Sequence, residues 1–189
     1  IEYHLENNFS NIEKFEVNGL LVLYNDMLQS LFSSQIKSFS IILIYIFLMF
    51  IILFQSFKLS IIGIIPNIIA SFFILGLIGL LKIPLDIMTI TIAAITIGIA
   101  VDNTIHYIYR IKENSKNINE IKQLIMDTHN NVGKAVLTTS LTIAFGFSIL
   151  SISNFIPTIL FGLFTALAML VAMIGVLITL PAVMIKFKI

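Results

Sequence analysis

Residues 135–185 read AVLTTSLTIAFGFSILSISNFIPTILFGLFTALAMLVAMIGVLITLPAVMI, a run without Asp, Glu, Lys or Arg. A membrane-crossing helix needs about 20 apolar residues, so this run is too long for one crossing. Asn154 and Pro157 divide it, and Pro is tolerated in the first turn of a helix because the N–H that it lacks would be unpaired there. The sequence therefore predicts two consecutive crossings, at about 135–153 and 157–185.

Three more apolar stretches precede this run, at about 39–56, 61–81 and 85–109. The whole chain is 58% hydrophobic and only 11% charged, whereas a soluble domain is about half apolar and roughly a quarter charged. We therefore predict an all-α multi-pass membrane protein with five transmembrane helices. The net charge of +1 suggests no nucleic-acid partner, and the absence of Cys excludes disulfides within these residues.

Residues 1–38 differ from the rest of the chain because they are richer in acidic side chains. From Leu20 to Gln35 apolar residues recur at helical spacing, which indicates an amphipathic helix that leads into the first crossing. We expect 1–38 to be the end of a soluble domain with this lead-in helix, and 39–189 to be the transmembrane domain. The chain opens at Ile1 with neither a start Met nor a signal peptide, so a fragment of a longer polypeptide is expected.

The basic residues are divided unequally between the two sides of the predicted bundle. One side carries eight of them and the other only three, Lys14, Lys37 and Lys82. The positive-inside rule makes the richer side cytoplasmic. This predicts a protein of the cell inner membrane with a periplasmic N-terminal end, a cytoplasmic C-terminal end, and a cytoplasmic loop at 111–133 that holds a short amphipathic helix.

The third crossing contains GIAVDNTIH at residues 98–106, and Asp102 is a carboxylate inside a membrane span. It lies roughly 12 Å in from Arg110, at a rise of about 1.5 Å per residue. A charge near the bilayer centre costs at least about 2.5–3.5 kcal/mol, so such residues face a bundle interior or a wet cavity. The sequence predicts that Asp102 is buried in the bundle and relays a proton or another ion.

Helical spacing gives Asp102 its expected neighbours. Gly98 and His106 lie four residues before and after it and should share its face. Gly98 should allow another helix to approach closely. The fourth crossing runs antiparallel to the third, and counting in from Lys134 brings a group of hydroxyls to the depths of Asp102 and His106. These predicted partners are Thr138, Thr139 and Thr142.

Other interpretations of the same residues stay open. A buried Asp can serve as a structural hydrogen-bonding post, and His106 can be a solvated residue at the end of a helix. Hydroxyls in membrane helices often bond the carbonyls of their own backbone. The spacing of Asp102 and His106 could suit a metal, but His4 and His129 lie elsewhere in the sequence, so no metal site is predicted.

GIAVDNTIHY at 98–107, followed by Arg110, resembles the GxxxD helix of the resistance–nodulation–division (RND) superfamily, and within it the MMPL-like, predicted-exporter branch. The stretch from Leu20 to Ser38 is similar to the helix by which the chain leaves the porter domain in that family. Further similarities lie at Gly63–Asn67, Ile83–Leu85, Val132–Ala135, Thr139–Thr142, Phe161–Leu163 and Leu180–Ala182.

The resemblance implies a protein of two halves, each with one helix, a large periplasmic domain and five further helices. This chain would be the last five helices of the second half, helices eight to twelve. The family couples entry of protons, occasionally sodium, to export of lipids or other hydrophobic compounds, so a secondary transporter and not an enzyme is expected. By analogy Asp102 is the relay carboxylate, with Thr138, Thr139 and Thr142 as its partners.

Asn103 departs from the family pattern, because many relatives carry Tyr or a second Asp after the relay Asp. A Tyr–Asp pairing between halves cannot be assumed, and an amide oxygen leaves sodium coordination open. No cofactor is expected beyond the coupling ion. The expected partners are the bilayer, a hydrophobic substrate, and the missing N-terminal half and porter domain of the same chain. Homo-oligomerisation stays open.

Two other functions remain as alternatives. One is a sterol-sensing-type regulatory module that binds lipid without pumping, and it would bind lipid independently of any ion gradient. The other is a protein-translocation auxiliary of the SecD/SecF kind, whose helices are similar to those of the exporters. The size and fold of the porter domain would distinguish the three.

Overall fold

The computed structural model describes residues 19–83, 87–115 and 120–187, without the side chains of 87–90. The described residues form helices and no strands. Five helical stretches among them are long and apolar enough to cross a membrane. This confirms the predicted all-α, multi-pass membrane fold. Most of the predicted soluble segment, residues 1–18, lies outside the described residues.

Helix α1 spans Leu20–Phe54 without a break, so the predicted lead-in helix and the first crossing are one element of 35 residues. The reason is local, since no Gly or Pro interrupts this stretch. Gln55 ends α1 in the left-handed region, with φ of 49°. Helix α2, Phe57–Leu80, begins two residues later.

Helix α3 spans Ile87–Asn114 and extends five residues past the predicted end at 109. It packs against α1 and α2 and also against the last part of the chain. Its inner side buries Tyr107 and Ile108 completely, next to Phe50 and Phe54 of α1. This apolar cluster holds the ends of α1 and α3 together.

Helix α4, Ile121–Thr128, is the short helix predicted within the loop at 111–133. Helix α4 continues directly into α5, Lys134–Ser148. A π-helical turn at His129–Gly133 joins them. One turn of 3₁₀-helix, Ile149–Ile152, then closes the fourth crossing.

The fifth crossing consists of α6, Ile156–Ile174, a π-helical turn at Gly175–Thr179, and α7, Leu180–Phe187. Pro157 lies in the first turn of α6, as the sequence predicts. A Cβ atom added at Gly175 would lie 3.0 Å from the Cβ of Pro66. The second π-helical turn therefore packs closely on the proline inside α2.

Close approach of α5 and α6 depends on Gly162. A Cβ atom added there would lie 2.6 Å from both the Cβ of Leu150 and the backbone oxygen of Phe147. Real Cβ atoms essentially never come so near, because overpacking a filled site forces side chains and backbone to shift. This glycine lets the fifth crossing fold back tightly against the fourth.

One end of the bundle, which we call the basic end, brings together the cationic ends of several helices. The Nζ atom of Lys112 on α3 donates a hydrogen bond to the backbone oxygen of Phe54, 2.8 Å away, at the end of α1. A cation suits the carbonyl end of a helix, where unpaired oxygens carry partial negative charge. The described members of the basic end are Lys58, Arg110, Lys112, Lys122, Lys134 and Lys186.

Candidate functional site

A cleft of about 480 Å³ opens between α3 and the start of α5, near the basic end. Its wall combines apolar surface with polar groups, because it carries an acid, an imidazole, a guanidinium, two amides and two hydroxyls. The residues that line it are Asp102, Asn103, His106, Tyr109, Arg110, Asn131, Val132, Ala135, Val136 and Thr139. Three of them, Asp102, His106 and Arg110, follow each other at intervals of one helical turn.

Asp102 and His106 form a pair on the cleft side of α3. The Nε2 atom of His106 lies 3.4 Å from Oδ1 of Asp102, and the two side chains are 68% and 71% exposed within the chain. This confirms the face that the four-residue spacing predicts.

Among the described residues, the hydroxyls of α5 do not bury Asp102 as predicted, and its side chain is 71% exposed. Thr138 donates to the backbone oxygen of Lys134 at 2.7 Å, and Thr142 donates to that of Thr138 at 2.8 Å. Thr139 donates to the carbonyl of Ala135 at 3.0 Å. All three hydroxyls therefore bond their own helix, the alternative that was left open, and of the three Thr139 lines the cleft.

The contact between α3 and α5 is made instead by the neighbouring residue. The Nδ2 atom of Asn103 donates to Oγ of Ser140 at 3.0 Å, and both side chains are buried. Successive residues of an α-helix point about 100° apart, because one turn takes 3.6 residues. With Asn103 directed at α5, Asp102 is turned to the open side, which is the physical reason for the difference.

Gly98 lies on the same open side. Among the described residues, no atom of a neighbouring element comes within 4 Å of a Cβ atom added there. The close helix approach predicted at Gly98 is therefore not supplied by the described part of the chain. We call Gly98, Asp102 and His106 the open face of α3.

The opposite side of α3, which we call its inner face, carries polar residues that the sequence reasoning did not assign. Asn67 of α2 and Thr104 of α3 are almost completely buried and lie opposite each other. The hydroxyl of Thr104 is 3.3 Å from Nδ2 and 3.4 Å from Oδ1 of Asn67. The signal was present, because Asn67 belongs to the Gly63–Asn67 motif.

A second inner contact joins α3 to the π-helical turn between α4 and α5. The hydroxyl of Tyr107, whose side chain is fully buried, lies 2.8 Å from Nδ1 of His129. About two turns further along α3, Nδ2 of Asn114 donates to Oδ2 of Asp127 at 2.6 Å. His129 thus connects the first π-helical turn to α3. The sequence analysis, which placed His129 in a loop, did not predict this contact.

A second cleft, of about 260 Å³, lies between α1, α2 and α3, away from Asp102. Its wall is apolar except for Ser40 and Gln35. The Nε2 atom of Gln35 is buried without a hydrogen-bond partner in the described structure. The remaining residues that line it are Phe32, Ile36, Phe39, Phe72, Leu75 and Ala93.

Comparison with known proteins identifies a family and a relative. The family described as the MMPL family matches residues 13–187. A protein of Methanocaldococcus jannaschii, whose name describes it as a membrane protein, is 32% identical over 152 residues. These residues are 80% of this chain but 39% of that relative, so the chain corresponds to well under half of the relative's length. No solved structure matches the chain.

Proposed function

Because the chain belongs to the MMPL family, we propose that it is the membrane part of an ion-coupled exporter of lipids or other hydrophobic compounds. Asp102 is the group that takes up and releases the coupling ion, a proton in the favoured form of the proposal. The observation that carries this is the position of an exposed carboxylate deep in a membrane span, on the wall of a polar cleft.

The cleft supplies a route for the ion. From Asp102 the wall continues through His106 to Arg110, and these side chains are separated by single helical turns. A carboxylate at this depth is tolerated only if water or other polar groups reach it, at a cost of at least about 2.5–3.5 kcal/mol otherwise. A polar cleft that leads towards the basic end meets that need.

A proton held on Asp102 neutralises its charge, and release restores it. If water reaches the carboxylate from one side of the membrane at a time, each cycle moves one charge through part of the membrane potential. That potential supplies about 2.3 kcal/mol per charge per 100 mV. His106, 3.4 Å away, is placed to pass the proton between the carboxylate and the cleft.

Sodium is the second candidate ion, and Asn103 is the residue that favours it. Its Nδ2 atom is engaged with Ser140, so its carbonyl oxygen is the part of the amide that can serve a cation. Carboxylate and amide oxygens are the ligands that hard cations prefer. Separately imposed proton and sodium gradients distinguish the two ions.

The apolar cleft beside Gln35 supports a hydrophobic cargo. Ligand pockets are mostly apolar with a few placed polar groups, and this cleft combines aromatic and aliphatic walls with one unpaired amide nitrogen. An acyl chain with a nearby ester or carboxyl oxygen would satisfy both features. The cleft and the cargo it would hold belong to the proposal as a whole.

The same proposal includes a second set of helices that covers the open face of α3, and an extramembrane domain that handles the cargo. It places the basic end in the cytoplasm, by the positive-inside rule, with the protein in the cell inner membrane. No bound cofactor is required other than the ion.

The test is transport by the full-length protein in proteoliposomes under an imposed proton or sodium gradient, with a fluorescent phospholipid and a hydrophobic dye as probes. We expect Asp102→Asn to reduce gradient-driven transport at least about 100-fold, because catalysis of an ion step by one essential group is worth about 10²–10⁴-fold.

The matched control is Asp26→Asn, which neutralises an exposed carboxylate on α1 that does not line this cleft. It should transport like the unmodified protein. Undiminished transport by Asp102→Asn would refute the relay, and probe binding that ignores both gradients would point to a lipid-sensing module instead.

A further inference from the structure

We propose that Arg110 determines the ion selectivity of the polar cleft, because its fixed positive charge keeps sodium away from the oxygens of Asp102 and Asn103. The inference rests on the proposed function, in which Asp102 exchanges the coupling ion through this cleft. It also decides between the two ions that the proposed function leaves open, since a proton can enter by way of His106 whereas sodium would have to pass the guanidinium.

Arg110 lies on the part of the cleft wall that is nearest the basic end. His106 precedes it by one helical turn and Asp102 by about two, and all three side chains line the cleft. Along the axis of α3, Arg110 is roughly 12 Å from Asp102, at a rise of about 1.5 Å per residue. An ion that enters from the basic end therefore passes Arg110 before it reaches Asp102.

The ion pair that Arg110 forms leaves its positive member facing the cleft. The Nη1 atom of Arg110 lies 2.8 Å from Oε2 of Glu113, about one turn closer to the end of α3. Glu113 is not among the described residues that line the cleft, whereas Arg110 is. A guanidinium keeps its proton in proteins, so the charge on the cleft wall is permanent and its counter-charge lies outside that wall.

The surrounding charges add to that of Arg110 more than they offset it. Asp127 accepts hydrogen bonds from the amides of Asn114 and Asn131 at 2.6 and 3.3 Å, so its two oxygens are directed at amides. Lys134 begins α5, whose first turn borders the cleft. In the described part of the chain, the six cations of the basic end face three carboxylates, Glu113, Glu120 and Asp127.

Sodium and a proton meet this charge in different ways. Sodium moves as a whole cation, and ion pathways use charged side chains to exclude ions of the same sign. A proton moves along hydrogen bonds, and the imidazole of His106, which lies between Arg110 and Asp102 on the cleft wall, can carry one. While His106 holds the proton, the carboxylate 3.4 Å away offsets its charge.

The residues that Arg110 guards would otherwise suit sodium. Asp102 and Asn103 line the cleft side by side, and carboxylate and amide oxygens are the ligands that hard cations prefer. The amide nitrogen of Asn103 is engaged with Ser140 at 3.0 Å. Removal of the charge at Arg110 should therefore reveal a sodium site at Asp102 and Asn103.

Sodium binding by the purified full-length protein tests the inference. It is measured with radioactive sodium in a scintillation proximity assay, at fixed pH and with choline chloride to hold the ionic strength constant. We expect Arg110→Gln to bind at least about tenfold more sodium than the unmodified protein, because fixed charges in a cleft change local ion concentrations by about 10–10³-fold. Combining Arg110→Gln with Asp102→Asn should abolish the additional binding, since the carboxylate ligand is lost.

Three variants separate the charge of Arg110 from a structural role. Arg110→Lys keeps the charge and should exclude sodium as the unmodified protein does. Glu113→Gln removes the partner of Arg110 but leaves the guanidinium in place, so it should exclude sodium as well. Lys122→Gln neutralises an exposed cation of the basic end that is not among the described residues lining the cleft, and it should have no effect.

Two results of the binding assay would overturn the inference. One is sodium binding by Arg110→Gln that is no greater than that of the unmodified protein. The other is an equal increase for Glu113→Gln and Arg110→Gln, which would mean that the ion pair acts by holding the structure of this end of α3.

Transport measurements distinguish failure of this inference from failure of the proposed function. In proteoliposomes with a proton gradient, equal sodium on both sides should inhibit export of the fluorescent phospholipid by Arg110→Gln but not by the unmodified protein. Transport by the unmodified protein under a sodium gradient alone would overturn the selectivity and leave the relay intact. Increased sodium binding by Arg110→Gln together with undiminished transport by Asp102→Asn would retain the exclusion of sodium and refute the relay.

Discussion

Polar residues on the two sides of α3 differ in whether they find partners on other helices of the described structure. On the inner face, Thr104 meets Asn67 and Tyr107 meets His129, and each pair is formed within the chain. On the open face, the partner of Asp102 in the described part of the chain is His106 of its own helix, at 3.4 Å. Polar groups on one side stabilise this bundle, whereas those on the other remain available to something outside it.

The difference separates residues that stabilise the bundle from residues that the proposed transport would use. Buried polar groups cost free energy unless they are paired, so changes on the inner face should destabilise the bundle. Changes on the open face should leave its stability almost unchanged and should alter ion coupling or assembly. The predictions that follow test this division through the free energy of unfolding, measured in mixed micelles.

The largest effect on stability is expected at the tightest helix contact. Gly162→Ala places a Cβ atom 2.6 Å from the backbone oxygen of Phe147, and backbone cannot move aside as a flexible side chain can. Overpacking costs about 1–3 kcal/mol, and we expect the upper part of that range.

The control for this prediction is Gly76→Ala on α2, where no neighbouring atom lies within 4 Å of the added Cβ. It should be neutral or slightly stabilising, because Ala is the better helix former by about 0.5–1 kcal/mol. Equal effects of the two substitutions would contradict the close contact between α5 and α6.

The next effect is expected from the Asn67–Thr104 pair. Thr104→Val removes the hydroxyl with little change of shape and leaves the buried amide of Asn67 without this partner. Hydrogen bonds between membrane helices are worth about 0.6 kcal/mol on average and up to about 1.7 kcal/mol. We expect a loss near the upper value, since both residues are fully buried.

A double-mutant cycle with Asn67→Leu isolates the interaction itself. The combined loss should be smaller than the sum of the two single losses, because the second substitution removes the group that the first left unpaired. Strict additivity would mean that the two residues do not interact.

A smaller loss is expected at the basic end. Tyr107→Phe deletes the hydroxyl 2.8 Å from Nδ1 of His129, and the free energy of unfolding should fall by about 0.5–1 kcal/mol. The histidine is only partly buried, so water can take the place of the hydroxyl. Faster amide hydrogen exchange in residues 121–133 should accompany the loss. Unchanged exchange there would show that this contact does not stabilise α4 and the π-helical turn.

The smallest effect on stability is expected at Asp102 itself. Asp102→Asn keeps the shape of an exposed side chain, so the free energy of unfolding should change by less than about 0.5 kcal/mol. The same variant is expected to lose transport. A marked loss of stability together with loss of transport would assign Asp102 a structural role, the post that the sequence left open.

The sequence predicts the helices well because their signals are strong. The uncharged run at 135–185 and the dividing Asn154 and Pro157 place the last two crossings within a few residues of their observed bounds. Helix α1 passes through residue 38 without a break, because the polar residues there are compatible with a helix. A change of composition marks the edge of a membrane without marking the end of a helix.

Which side of α3 is buried was harder to predict, for a physical reason. Lipid and a bundle interior are both apolar, so the hydrophobic pattern of a membrane helix does not reveal which side is buried. Asp102 and Asn103 are adjacent, and rotation of the helix by a single residue exchanges their positions. The turn of π-helix at His129–Gly133 adds a similar uncertainty, since it shifts the register of everything before α5.

The uninterrupted helix α1 is longer than the hydrocarbon core of a membrane is thick. Its 35 residues extend about 52 Å, whereas the hydrocarbon core is roughly 30 Å thick. About 20 Å of the helix is therefore left outside the core. At the other end of this helix, Lys112 donates a hydrogen bond to the backbone oxygen of Phe54. Because no break interrupts α1, the part of it outside the hydrocarbon core and the end held by Lys112 belong to one continuous helix.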